Sequence, residues 1–122
     1  MDRDFGIGKE MKIGDIRWVE LPDVGGREQS GRRPAIILQD DGYAASLPTT
    51  VVVPLSSALA ALRFPGTAQI KATDGSGLRT DSVALVFQIR AIDRGRIKEA
   101  IGAVSTLELA EIRAELAKLF GS

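Results

Sequence analysis

The run Thr50-Val51-Val52-Val53, set between Pro48 and Pro54, limits the possible folds more than any other stretch of the chain. Four β-branched residues in succession disfavour helix, and the flanking prolines leave room for one short buried strand. Comparable short runs separated by turn signals fill most of the chain. Ile13 to Leu21 is expected to be the first strand, with Ile16, Trp18 and Glu20 on one face and Arg17, Val19 and Leu21 on the other. Ala35 to Gln39 follows Pro34 as a strand, Ala68 to Ala72 alternates as another, and Ser82 to Phe87 continues through Gln88 to Asp93. Asp40-Asp41-Gly42 and Asp74-Gly75-Ser76-Gly77 read as turns, Tyr43 to Leu47 as loop, and Ala58 to Leu62 as a short helical turn. Near the end, Ser105-Thr106-Leu107-Glu108 has the spacing of a capping box, and Leu109, Ile112, Leu116 and Leu119 recur at helical intervals up to Gly121. The pattern predicts a mainly β fold, a small barrel with short helices and a C-terminal α-helix.

At 122 residues the chain is expected to form one domain over residues 13–122, preceded by a flexible, charged, glycine-spaced leader at 1–12. No apolar run approaches the roughly 20 residues needed to span a bilayer, and the leader lacks the apolar core of a signal peptide, so a cytoplasmic location is expected. The chain has no cysteine and no histidine, which excludes thiolate chemistry, imidazole relays and the commonest metal ligands. Catalysis by such a chain rests on Arg, Lys, carboxylate or hydroxyl groups, which favours stabilising transition-state charge without a metal or cofactor. Sixteen basic and sixteen acidic residues give no net charge, so any contact with nucleic acid is expected to be short and local.

Gly25 to Arg33, reading GGREQSGRR, is a polar, glycine-spaced segment that leads straight into the apolar strand at Ala35. Arg32 and Arg33 offer forked donors, Glu28 and Gln29 offer acceptors and an amide, and the glycines let the backbone approach a ligand closely. These residue types suit an anion such as a phosphate. They suit equally a surface loop whose arginines are solvated or pair with Glu28. Pro34 pushes Arg33 toward extended backbone, placing it at the threshold of the following strand.

GDIRWVEL at Gly14 to Leu21, GREQSGRRPAIIL at Gly26 to Leu38, VVVPLSS at Val51 to Ser57 and TDSVALVFQIRAID at Thr80 to Asp93 stand in the chain in that order. Together they resemble the successive blocks of the MazF/PemK/Kid toxin family. The resemblance implies an SH3-like barrel that forms a homodimer, acts as a ribosome-independent endoribonuclease on single-stranded RNA, and is held inactive by a cognate antitoxin with an acidic, disordered tail. It also implies cleavage by attack of the 2′-hydroxyl, leaving a 2′,3′-cyclic phosphate and a 5′-hydroxyl.

By that resemblance Arg33, directly before the proline, is the catalytic arginine, and Ser56 stands where the family usually has a threonine. Serine keeps the hydroxyl but loses the methyl that restricts χ1. Ser57 is the adjacent candidate for the same role, and either serine is also suited to capping the helical turn that follows. Glu28 and Gln29 match a substrate-contacting pair, with Glu28 the better acceptor for the 2′-hydroxyl proton; a structural alternative is that Glu28 holds Arg33 in place. Arg32 is expected to steer RNA. Asp81, Ser82 and Gln88 match blocks of the family whose side chains are suited to reading base edges in an unstacked strand, and Asp81 is equally suited to a turn. Trp18 is expected in the core or a dimer interface. The different-class rival is a non-catalytic binding module on the same scaffold, such as a CcdB-like gyrase poison or an inactive toxin homologue.

Overall fold

The computed structural model describes residues 11–121. Its strands are β1 (Asp15–Leu21), β2 (Gly31–Ile37), β3 (Thr49–Ser56), β4 (Thr67–Ile70), β5 (Ser82–Leu85), β6 (Arg90–Asp93) and β7 (Ile97–Ala103). Two helices accompany them, the single turn α1 (Asp41–Ala44) and α2 (Thr106–Leu119), together with 3₁₀ turns at Leu59–Arg63, Val86–Gln88 and Arg94–Arg96. All pairings are antiparallel, in the order β4-β5-β3-β2-β1-β7 with β6 attached to β3. The expected mainly β fold with a C-terminal helix is therefore observed, but the curled sheet stays open, with β4 and β7 as its ends.

β3 runs through Pro54 instead of stopping before it. Leu38 donates its N–H to the Val51 carbonyl at 2.9 Å, and the β2–β3 register opposes Ala35 to Pro54. By alternation from Val51, the nitrogen of Pro54 points to the other edge of β3, where β6 pairs only as far as Val52 and β5 only from Leu55. No ladder donor is needed there, which is why proline is tolerated. The same gap breaks the strand expected over Ser82 to Asp93: between Ala84 and Arg90, five residues face only Val53 and Pro54, and the surplus leaves the ladder as the Val86–Gln88 turn.

β7 was not foreseen, because Lys98, Glu99, Ala100 and Gly102 carry little β-propensity. It is held by pairing to β1 with two register shifts, one of which leaves Ile101 opposite no residue of β1. At the second shift the buried Arg17 donates its Nε to the Lys98 carbonyl at 2.7 Å. Desolvation by burial lowers the pKa of that guanidinium, against the opposing fields of Asp15, Asp41 and Glu99.

Alternation along the central strands feeds two cores. Ile16, Ile36, Val53 and Leu55 meet Ile70, Val86 and Ile112 on one side, while Val19, Ala35, Ile37 and Val52 meet Met11, Ile92 and Ile97 on the other. The first is covered by α2, whose capping box at Ser105 and Glu108 is present and whose Ile112 is wholly buried. The second takes in Met11, which with Lys12 belongs to the expected leader; residues 1–10 of that leader lie outside the described residues. Among the described residues no helix is long and apolar enough to cross a membrane.

The turn expected at Asp40 to Gly42 is the start of α1, with Asp40 as its N-cap. Asp41 accepts from Arg94 Nη2 at 2.6 Å and from the Met11 N–H at 2.9 Å, while Arg94 also donates to the carbonyls of Leu47 and Ala44. Burial raises the Asp41 pKa, but the bonds from Arg94 and Met11 outweigh it and the net shift is downward. The folded state therefore prefers the carboxylate, a contribution present above the unfolded carboxylate range and lost as pH falls through the lowered folded value. Asp41→Asn is expected to lose about 2 kcal/mol at pH 7. The gap to wild type should close below about pH 4 in urea titrations; a gap that is constant with pH would show that the charge contributes nothing.

Candidate active site

β2 begins at Gly31, so Arg32 and Arg33 belong to a strand and not to the end of a loop, a correction to the threshold position expected for Arg33. Over Gly31 to Pro34 this strand pairs with β1 alone, its pairing to β3 starting at Ala35. The open edge accommodates Pro34, which has no N–H to give, and leaves Arg32 exposed and Arg33 half-buried. Arg32 lies diagonally across from Trp18, its guanidinium 4.7 Å from the ring centroid, and donates to Glu99 of β7 at 2.9 Å. Arg33 is half-buried and its Nε donates to the Ser30 carbonyl at 3.0 Å. Its two terminal nitrogens bond no described residue, and among the described residues no ion pair joins it to Glu28. One arginine is thus engaged, while the other is anchored near its base with its fork free.

Ser56 ends β3, opposite Val83 of β5. Its Oγ accepts from the Ala58 N–H at 3.1 Å in a local turn, which leaves its O–H proton available to donate; the 3₁₀ turn at Leu59–Arg63 has Ala58 as its N-cap and no side-chain cap, so the capping expected of Ser56 or Ser57 is not observed. Ser57 is exposed beside it. These residues meet in a groove of about 690 Å³ lined by Arg32, Arg33, Ser56, Ser57, Arg79, Thr80, Ser82, Trp18 and Ile101, with Pro34, Leu55, Gly77 and Leu78. No carboxylate is among the lining residues, so the formal charge of this groove is wholly positive in a chain whose total is zero. Trp18 is half-buried in the groove wall and belongs to neither core.

The remaining candidates lie outside that lining. Gln88 accepts from the Gln29 N–H at 2.8 Å and donates to the Arg27 carbonyl at 3.5 Å, while Arg90 donates to the Gln29 carbonyl at 2.6 Å. Gln88 and Arg90 therefore fasten the 25–30 loop to the turn before β6. Glu28, in the middle of that loop, is exposed. Asp81 accepts from the Ala72 N–H at 2.8 Å and from Gln69 Nε2 at 3.3 Å, tying down the connection between β4 and β5. Arg79 and Thr80, in that same connection, are not individually marked by the sequence, although the turn at Asp74 to Gly77 precedes them and the family-like block begins at Thr80. Among the described residues no group of three His, Cys, Asp or Glu side chains is placed to hold a metal ion.

A family model described as "PemK-like, MazF-like toxin of type II toxin-antitoxin system" matches residues 12–120. The chain belongs to this toxin family. A relative from Staphylococcus saprophyticus, named Endoribonuclease MazF, is 32% identical over 102 residues, covering 84% of each chain. Endoribonuclease EndoA of Bacillus subtilis is 34% identical over 91 residues, covering 75% of this chain and 78% of its own. Among solved structures, MazF from Deinococcus radiodurans superposes with a TM-score of 0.79 at 28% identity, covering 93% of this chain and 99% of that one. A MazE-MazF structure from the same organism gives 0.69 at 28% identity, with 91% and 96% covered.

Proposed function

We propose that this chain is the toxin of a type II toxin–antitoxin system and an endoribonuclease that cuts single-stranded RNA in the Arg33–Ser56 groove. The observation that carries this is the free fork of Arg33 sharing one carboxylate-free groove with the hydroxyl of Ser56. It is supported by relatives named as endoribonucleases over most of the chain. In this reading the 2′-hydroxyl loses its proton, its oxygen forms a bond to the neighbouring phosphorus, and the bond from phosphorus to the 5′-oxygen breaks. The departing oxygen takes a proton, so the products are a 2′,3′-cyclic phosphate and a 5′-hydroxyl. Charge builds on the phosphoryl oxygens along the way. The two terminal nitrogens of Arg33 hold these oxygens and the Ser56 O–H donates to one of them. A guanidinium is a poor base, so this reading assigns the 2′-hydroxyl proton to Glu28, which stands in the 25–30 loop outside the groove lining and, unlike Asp23, which accepts from Gly25 at 2.9 Å, has no hydrogen bond to a described residue.

The working unit in this reading is a homodimer in the cytoplasm, where messenger RNA is met. The MazE-MazF structure supports an antitoxin partner, whose acidic tail would compete with RNA for the arginines. Incubating a mixed RNA pool with the protein in EDTA tests the reading. New ends that accept a label from polynucleotide kinase without prior phosphatase treatment are expected, since they carry 5′-hydroxyls. Cleavage abolished by EDTA and restored by Mg²⁺ would overturn the metal-free mechanism, and intact RNA under all conditions would favour a binding module.

A further inference from the structure

We infer that Arg79 forms a second phosphate subsite in the groove, holding the backbone phosphate next to the one being cut. The inference rests on the RNA-cutting reading above and names a residue that reading does not use. Three observations carry it. First, the charge of the groove is unevenly committed: Arg32 is tied to Glu99 and stacked on Trp18, Arg33 has a free fork, and Arg79 is exposed with no bond or ion pair to any described residue. Second, about 690 Å³ exceeds what one phosphate needs and falls in the range of roughly 300–1,000 Å³ typical of sites for larger ligands, which gives room for a dinucleotide step.

Third, the segment bearing Arg79 is built as a fixed wall. A Cβ on Gly77 would overlap the Ile101 carbonyl, and one on Gly102 would overlap the carbonyl of Ser76, so the 74–77 turn sits directly on β7. Ala103 donates to the Gly75 carbonyl at 2.9 Å, and the Ser76 hydroxyl accepts from the N–H groups of Thr73 and Leu78. On the far side, Ser82 Oγ donates to the Thr80 carbonyl at 3.1 Å. Backbone clamped on both sides of a cation with no partner of its own is the arrangement of a preorganised anion contact. The repeating phosphates of single-stranded RNA fit it, because in the RNA-cutting reading Arg33 engages one phosphate in the same groove.

The test is binding, measured separately from cleavage. The probe is a fluorescein-labelled pool of 2′-O-methyl oligoribonucleotides about eight nucleotides long, which lack the attacking hydroxyl. Anisotropy titrations across a salt series compare wild type with Arg79→Ala and Arg79→Lys, the fold being checked by circular dichroism. Arg79→Ala is expected to bind roughly tenfold more weakly and to lower the slope of log affinity against log salt by about 0.7, the single-strand value for one phosphate. Arg79→Lys should keep the slope. Unchanged affinity and slope in Arg79→Ala would overturn the subsite, as would weaker binding with an unchanged slope. It would also fall if Arg79→Ala lost affinity only for an acidic peptide and not for the RNA probe. If the expected binding losses appear in a protein that leaves natural RNA intact, the subsite stands and the nuclease reading falls; cleavage with unchanged Arg79→Ala binding gives the reverse.

Discussion

Arg33→Ala and Arg33→Lys are both expected to cut a short RNA about 10²–10³-fold more slowly than wild type in single-turnover assays, the usual loss on removing one preorganised donor. Lysine keeps the charge but not the planar pair of nitrogens, and it is this pair that the structure leaves free once Nε is bonded to Ser30. Arg32→Ala should be affected far less, and less still as salt rises, because Arg32 already has Glu99 as a partner and acts mainly by steering. Ser56→Ala should fall below wild type, whereas Ser56→Thr should retain or raise the rate, the added methyl restricting χ1 while the hydroxyl remains. Fast cleavage by Arg33→Ala together with slow cleavage by Arg32→Ala would move the assignment by one residue. Insensitivity to both would remove β2 from the chemistry.

The second large effect concerns stability. Gly77→Ala is expected to lose roughly 2–5 kcal/mol, combining the cost of a left-handed backbone for an L-residue with that of forcing apart two packed segments. The φ of Gly77 is +69°, and its Cβ would meet backbone, which cannot rotate aside as a side chain can. Gly31→Ala provides the comparison. Its φ is +82° but nothing lies within 4 Å of its Cβ, so only the backbone term applies, about 1–2 kcal/mol. Urea unfolding of the two variants separates the terms. Equal losses would mean that the turn at 74–77 yields freely and is no wall.

Much of this was legible in the chain because local pattern and tertiary role agree there. Thr50 to Val53 and Ser82 to Leu85 form strands set into the core, and the capped helix after Ser105 forms as its spacing marks, although of its apolar stripe only Ile112 is fully buried and Leu119 stays exposed. Other features depend on partners that no local pattern contains. Ile97 to Ala103 is a strand because β1 pairs with it, despite a composition that argues otherwise. Pro54 lies inside a strand because two partners divide one edge of β3 and leave a gap at that point. In the site, Arg33 and Ser56 were marked by residue type and by resemblance, and they line one groove. Asp81 and Gln88 were marked as readers of bases, and their polar atoms are bonded to backbone and neighbouring side chains. Arg79 carried no mark, since an arginine between a turn and a strand looks like any surface cation until the contact of Gly77 with β7 fixes where it stands.

That contact, with the pairing of β1 to β7, also sets when in synthesis the groove first exists. Trp18 and Ile101 both line it, and Asp15 pairs with Ala103, so its walls come from opposite ends of the domain. Pairings so distant in sequence form late, because the intervening chain must first be brought together. A nascent chain that has released β1 to β6 from the ribosome already carries Arg33 and Ser56 but lacks Ile101 and the strand on which the Arg79 segment rests. Synthesis itself therefore imposes a delay, and the ribosome making this chain has passed its final strand before the groove is complete.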